Sequence, residues 1–264
     1  MKTRIHLVRH GLSQANLDLA VNRRMPDHAV ELAPQGHKQA KKAGEFLGRH
    51  IAGLEPEVEG GFHHRRVRLL ISPYTRTRQT AAGIKEGLRK HDLHFDERED
   101  NLIREQSFGM FDGLTRVELE KRYPDHYAHY QKHVAFEGEY FASMPLGESR
   151  SMVCDRIRGA FGTILRDMSG RHMPPVTDMI VVSHGVSIRC FLKEWLHLPW
   201  EWCEKSVNPH NCSITTIEGE MGRGWSQKRI FEGFEHIKET RQEHREDGHI
   251  VDKPVVEGER GAVD

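Results

Sequence analysis

Neither sign of charge dominates this sequence: lysine plus arginine and aspartate plus glutamate each total 39, so the formal net charge is zero. Without a field of one sign there is no bulk attraction for nucleic acid or an anionic membrane surface, and neither is expected as a partner. Long apolar runs are also missing, and none approaches the ~20 residues that a membrane-spanning helix needs. The first residues read as a strand and not as a charged segment followed by an apolar stretch, so no signal peptide is expected. Cysteine is scarce at four residues, and Cys154, Cys190, Cys203 and Cys212 form no CxxC pair. They fall in expected core elements, which reads as reduced thiols in a cytoplasmic protein. No internal repeat is evident.

What is present suffices for one good core. With 264 residues and 37% hydrophobic content, the chain is near the upper size for a single domain. Buried strands are expected at Ile5–Val8, Val67–Ile71 and Met179–Val182, with a short edge strand at Leu93–Phe95 and a final pair at Cys212–Glu218 and Gln227–Phe231. After an irregular loop over Leu17–Val30, a helix opens at Pro34, with Ala40, Ala43, Phe46, Leu47 and Ile51 at helical spacing. Another helix runs through Thr80, Ala81, Ile84 and Leu88. The longest helix begins at Pro145–Ser149 and carries an apolar stripe from Met152 and Val153 through Ile157, Ala160, Phe161, Ile164 and Leu165 to Met168. A helix over Gly185–Leu196 follows the third strand. Leu114–Tyr123 reads as a short helix broken by Pro124, and Asp125–Ser143, rich in histidine and tyrosine, shows no period. Gly53–Arg66 reads as a solvated loop, and from Glu232 the chain is charged and poor in large apolar residues. The alternation predicts an α/β fold: a three-layer α/β/α sandwich with a mostly parallel mixed sheet.

Two strands end on the same chemistry. The first runs into Arg9-His10-Gly11, placing a cation and an imidazole at a carboxyl end, where α/β folds bind ligands. Ser13 and Asn16 follow on the turn. The third strand runs into Ser183-His184-Gly185. Between them lie Ser72-Pro-Tyr-Thr-Arg-Thr-Arg-Gln-Thr80 and Glu105-Gln-Ser-Phe-Gly-Met-Phe-Asp-Gly113. With these motifs in this order, the chain resembles the histidine phosphatase superfamily, the phosphoglycerate mutase and acid phosphatase group, over roughly residues 4 to 218.

That resemblance implies a site and a reaction. His10 matches the nucleophile, Glu105 the proton donor to the leaving oxygen, and His184 the second catalytic histidine. Arg9 and Arg76 match the phosphate-clamping arginines, whose guanidinium geometry suits pairs of phosphoryl oxygens. Ser13, Asn16 and the amide of Gly185 at a helix start are expected as further phosphate donors. Arg78, two residues from Arg76, is expected to face away. The implied organisation is a catalytic domain over residues 1–232 with a cap insertion at about 105–145 over the carboxyl strand ends, and a charged tail at 233–264, frayed or disordered. Leu12, where many relatives carry Glu, and Arg104 depart from the family pattern.

The implied activity is a metal-independent phosphomonoesterase that acts on a small phosphorylated metabolite through a phosphohistidine, without a cofactor. Two alternatives stay open: a cofactor-dependent phosphoglycerate mutase, and a phosphate-binding regulatory module without turnover. His126, His129 and His133 have a spacing that would align on a helix as metal ligands, but no cysteine or carboxylate set accompanies them, so no metal site is expected. The sequence carries no reading of the oligomeric state.

Overall fold

The computed structural model describes residues 2–54, 66–169, 175–220 and 222–235. β1 (Thr3–Arg9), β2 (Val67–Ile71), β3 (Phe95–Glu99), β4 (Asp178–Ser183), β5 (Ile214–Glu220) and β6 (Gly224–Phe231) form one sheet in the order β3-β2-β4-β1-β5-β6. β1, β2, β3 and β4 run parallel. β5 is antiparallel to β1, and β6 to β5. The central strands are buried along their whole length, so both of their faces must be covered.

Eight α-helices lie in the described residues: α1 (Gln14–Leu17), α2 (Pro34–Ala52), α3 (Thr75–Lys90), α4 (Arg116–Arg122), α5 (Pro124–Glu137), α6 (Arg150–Ser169), α7 (Gly185–Trp195) and α8 (Trp200–Lys205). Side chains alternate along each strand and so feed two cores. Ile5, Leu7, Met179 and Val181 meet Val153, Ile157 and Ile164 of α6 and Ile188 and Phe191 of α7. Val8, Leu69, Ile180 and Val182 meet Ala40 and Leu47 of α2 and Ile84 and Leu88 of α3 on the opposite face. The fold is the expected three-layer α/β sandwich with a mostly parallel mixed sheet.

α2 and α3 approach until their backbones touch. Gly44 and Gly48 on α2 face Gly83 and Gly87 on α3, and a Cβ at Gly87 would lie 2.0 Å from the Gly44 carbonyl. No side chain fits between the helices there. Away from the two main cores, Phe111, Leu114, Leu119 and Met144 form a small cluster of their own with Tyr123, Tyr127 and Tyr130 against it.

Several local expectations need correction. Leu17–Val30 is not irregular throughout: 3-10 turns occupy Leu19–Arg23 and Asp27–Ala29, the first capped by the Asp18 carboxylate on the Ala20 amide. The edge strand is Phe95–Glu99 and not Leu93–Phe95; its acidic side chains meet Arg66, Arg68, Lys85 and Arg78 along the rim. Pro124 does not merely end a helix but opens α5, where its missing N–H costs nothing. α5 fully buries no residue; it half-buries only Tyr127, Tyr130 and Val134, and with two tyrosines among those three its apolar period is faint. The long helix begins at Arg150, after a turn over 145–149, and Met152 is exposed. All four cysteines are free and buried. Most of the Gly53–Arg66 loop and most of the 233–264 tail lie outside the described residues.

Candidate active site

β1 and β4 are neighbours with Arg9 opposite Ser183, so the residues that follow each strand emerge side by side. Gly11 makes the first turn possible, because a Cβ there would sit 2.6 Å from the Gly36 carbonyl at the start of α2. The His10 amide donates to the Ser183 carbonyl at 3.0 Å. Its ring Nδ1 lies 2.8 Å from the Gly11 carbonyl. A carbonyl only accepts, so Nδ1 carries the hydrogen and Nε2 the lone pair.

His184 stands beside it, its ring centroid 5.3 Å from that of His10. It is wholly buried, at 0% exposure, and is the residue at which α7 begins. Nε2 is 2.7 Å from the Ser72 hydroxyl, and the Tyr74 ring packs edge-on at 4.9 Å. Nδ1 is buried with no hydrogen-bond partner among the described residues. Burial holds this imidazole well below the ordinary histidine range, and the charges of Arg76, His10 and Arg9 push the same way. The surroundings therefore disfavour the charged ring.

Arg76, on the first turn of α3, is only 5% exposed. Its guanidinium donates to both Asp27 carboxylate oxygens, at 2.8 and 3.1 Å, and lies over the Tyr74 ring. Arg9 donates to the Pro209 carbonyl at 2.5 Å. Ser13 and Asn16 cap α1 reciprocally, each side chain accepting from the other's amide. Asn16 is also 3.4 Å from Asn211 Nδ2, which donates to the His10 carbonyl at 3.0 Å. Gly185 is the first residue of α7, and a Cβ there would meet the Asn208 side chain at 2.7 Å.

Glu105 reaches the same helix start. Its Oε1 accepts from the Ser187 amide and hydroxyl, both at 3.3 Å, and from the Gln106 amide at 3.0 Å. The segment that carries it is gripped by Arg156 of α6, which donates to the carbonyls of Leu102, Arg104 and Glu105. Arg156 is held in turn by Glu148, at 2.8 and 3.0 Å. Arg104, which departs from the family pattern, donates to that same carboxylate at 2.9 Å. Burial alone would raise the Glu148 carboxyl, but Arg156, the Ser107 amide and Arg104 outweigh it and hold the group below its ordinary range.

The structure thus gathers His10, His184 and Glu105 around the amino end of α7, with the charges of Arg9 and Arg76 acting on His184. It leaves Arg78 outside, paired with Glu99 on the exposed side. His126, His129 and His133 lie on α5; the rings of His129 and His133 are 4.9 Å apart, but the three do not converge as a ligand set. Sequence reasoning missed Asp27, Ser72, Tyr74, Glu148, Arg156, Ser187 and Asn211. Ser72 and Tyr74 lay inside the motif that supplied Arg76, and Glu148 inside the turn before α6. Nothing in the sequence marked Asp27 or Arg156.

A family model of the histidine phosphatase superfamily (branch 1) matches residues 5–232. The phosphoglycerate mutase-like protein AT74 of Arabidopsis thaliana is 34% identical over 227 residues, covering 84% of this chain and 67% of its own. The broad-range acid phosphatase DET1 of Saccharomyces cerevisiae is 26% identical over 294 aligned residues, covering 81% of this chain and 84% of its own. The fold matches that of a mycobacterial glucosyl-3-phosphoglycerate phosphatase with a TM-score of 0.60 at 21% identity, over 89% of this chain and 100% of that one.

Proposed function

Because the chain belongs to branch 1 of the histidine phosphatase superfamily, we propose that it is a metal-independent phosphomonoesterase working through a phosphohistidine at His10. The observation that carries this reading is the pairing of His10 with His184 at adjacent strand ends, with His10 Nδ1 tied to the Gly11 carbonyl. That bond keeps the Nε2 lone pair available for attack on phosphorus. As the Nε2–P bond forms, the ester P–O bond breaks, and the Glu105 carboxyl gives its proton to the leaving oxygen. Water then attacks the phosphohistidine, Glu105 takes the water's proton, and His10 leaves as inorganic phosphate forms.

The negative charge on the transferring group is met by residues of the chain. Arg9 and Arg76 supply fixed positive charge, and the first amides of α7, from Gly185 onward, add theirs. When the Ser72 hydroxyl donates to His184 Nε2, Nδ1 carries the hydrogen and presents a buried donor to a phosphoryl oxygen. Arg76 must share its guanidinium between Asp27 and substrate. Ser13 and Asn16, bonded to one another, act by shaping the turn after His10. Charge placed by the protein does the work that a Lewis acid does elsewhere, so no divalent ion is required for turnover.

The substrate in this reading is a small phosphate monoester, and the similarity to the broad-range acid phosphatase DET1 supports hydrolysis. Supplying 3-phosphoglycerate with a trace of 2,3-bisphosphoglycerate, alongside a panel of other esters, separates hydrolysis from isomerisation. Phosphate release at a higher rate than 2-phosphoglycerate formation is expected. Rapid quench into alkaline denaturant with labelled substrate is expected to trap a base-stable, acid-labile protein phosphate, absent in His10→Ala, whose turnover falls below about a thousandth of wild type. Rapid isomerisation with negligible phosphate release, or full turnover by a folded His10→Ala protein, would overturn the reading.

A further inference from the structure

Three of the four cysteines, far apart in sequence, meet in space. Cys154 of α6, Cys190 of α7 and Cys203 of α8 are free and fully buried. Their sulfurs all lie within 4.8 Å of one another. Sulfurs that share one ion at a bond length of about 2.3 Å stand roughly 3.8–4.0 Å apart, so closing the cluster needs only small side-chain movements. The buried Tyr140 side chain belongs to the same core cluster as the three sulfurs.

The surroundings are prepared for negative charge. Arg189 is buried and donates to the Ser206 hydroxyl, the Asn208 side chain and the Cys203 carbonyl, none of which is charged. Arg150, also buried, pairs with Glu139 through one nitrogen at 2.8 Å. Its Nε and Nη1 are buried with no hydrogen-bond partner among the described residues. Buried cations are costly unless an anion compensates them. Three protonated thiols offer no such charge. Three thiolates around one cation do, leaving a net −1 with a divalent ion and −2 with a monovalent one.

We propose that Cys154, Cys190 and Cys203 bind one soft cation, Zn²⁺ or Cu⁺, that clips α6, α7 and α8 together. An all-sulfur set selects these ions over Mg²⁺, Ca²⁺ or Mn²⁺. As each metal–sulfur bond forms, a protonated thiol releases its proton to solvent. The ion is structural: it sits along the body of α7, whereas His184 and Ser187 act at the amino end of that helix. The proposal does not depend on the reaction assigned to His10.

The test uses the reduced full-length chain. Co²⁺ is added first as a probe, because thiolate ligation produces a sulfur-to-cobalt charge-transfer band that surface histidines cannot give. Zn²⁺ is then used to displace it. In a separate anaerobic arm, Cu⁺ is titrated against a chromogenic chelator. One equivalent per chain is expected for wild type and for Cys212→Ser, whose site lies in the other core, together with a higher Tm. Binding at least 100-fold weaker is expected for Cys154→Ser and Cys203→Ser. Should a variant fail to fold, alkylation of wild type under mild denaturant decides: the bound ion must protect the peptides carrying residues 154, 190 and 203 and not that carrying 212. Absence of the charge-transfer band, equal binding by Cys203→Ser, uniform alkylation, or a disulfide within the trio in place of metal uptake would each overturn the proposal.

Discussion

Folding acts strongly on the charge state of His184: burial, followed by the charges of Arg76, His10 and Arg9, disfavours the protonated ring. A dianion in the pocket reverses that balance, so anion binding and proton uptake are linked. Sulfate makes a clean probe because it has no proton to exchange near neutrality. Calorimetric titration at pH 6 in two buffers of different ionisation enthalpy is expected to show uptake approaching one proton per sulfate, and little or none in His184→Asn. Equal uptake in both proteins would place the proton elsewhere. The same depression sets a stability trend. In the unfolded chain this histidine protonates near pH 6.5, whereas the folded chain resists, so its contribution is fully present above about pH 6.5 and is lost as pH falls toward the folded value. Glu105 is open to a different test. Glu105→Gln is expected to slow esters with poor leaving groups by about 10²–10⁴-fold while sparing p-nitrophenyl phosphate, whose leaving group hardly needs a proton. Equal losses on both would exclude it as the acid. The motifs that carry Arg9, His10, Arg76 and His184 were visible because each directly follows an apolar run, whereas Glu105 follows a charged stretch and was reached only through the family resemblance. Asp27 and the Arg156–Glu148 pair were not, because an ion pair made by folding leaves no mark on the residues adjacent to either partner.

At the level of elements, the α2–α3 crossing governs how the second core closes. Adding one methyl group at Gly87 drives it into the Gly44 carbonyl, whereas at Gly162 on α6 nothing lies within 4 Å of the new atom. The same chemical change therefore has opposite signs at the two sites. Gly87→Ala is expected to cost about 3 kcal/mol, lowering Tm by roughly 10 °C for a chain of this size. Gly162→Ala is expected to raise Tm by about 2 °C through helix propensity. Thermal unfolding of the pair checks both, and a small loss at Gly87 would mean that the helices stand further apart. Neither glycine pair was recognised in the sequence, where the apolar spacing of Ala40, Ala43, Leu47 and Ile51 drew attention to the stripe that faces the sheet. α5 escaped for the opposite reason. A helix that only half-buries Tyr127, Tyr130 and Val134 displays a faint period, and only Pro124 hinted at its first turn.

Across the whole molecule, protection falls from the middle of the sheet to its rims. β1 and β4 are buried on both faces and hydrogen-bonded on both edges, whereas β3 and β6 are outer strands with exposed side chains. Hydrogen exchange is expected to follow this order. Amides of Ile5–Val8 and Ile180–Val182 should exchange only through global unfolding, and those of Asp96–Glu99 at least tenfold faster. Uniform exchange over all six strands would contradict it. The pairing of Arg9 with Ser183 carries one further consequence, for the order of synthesis. Synthesis reaches β4, the strand that brings the partner histidine of His10, only long after β1. A slip of two residues between these strands would displace the two imidazoles by roughly 7 Å. A fragment that ends before β4 lacks both His184 and the strand that sets it beside His10, so the two imidazoles meet only after this long-range pairing has locked.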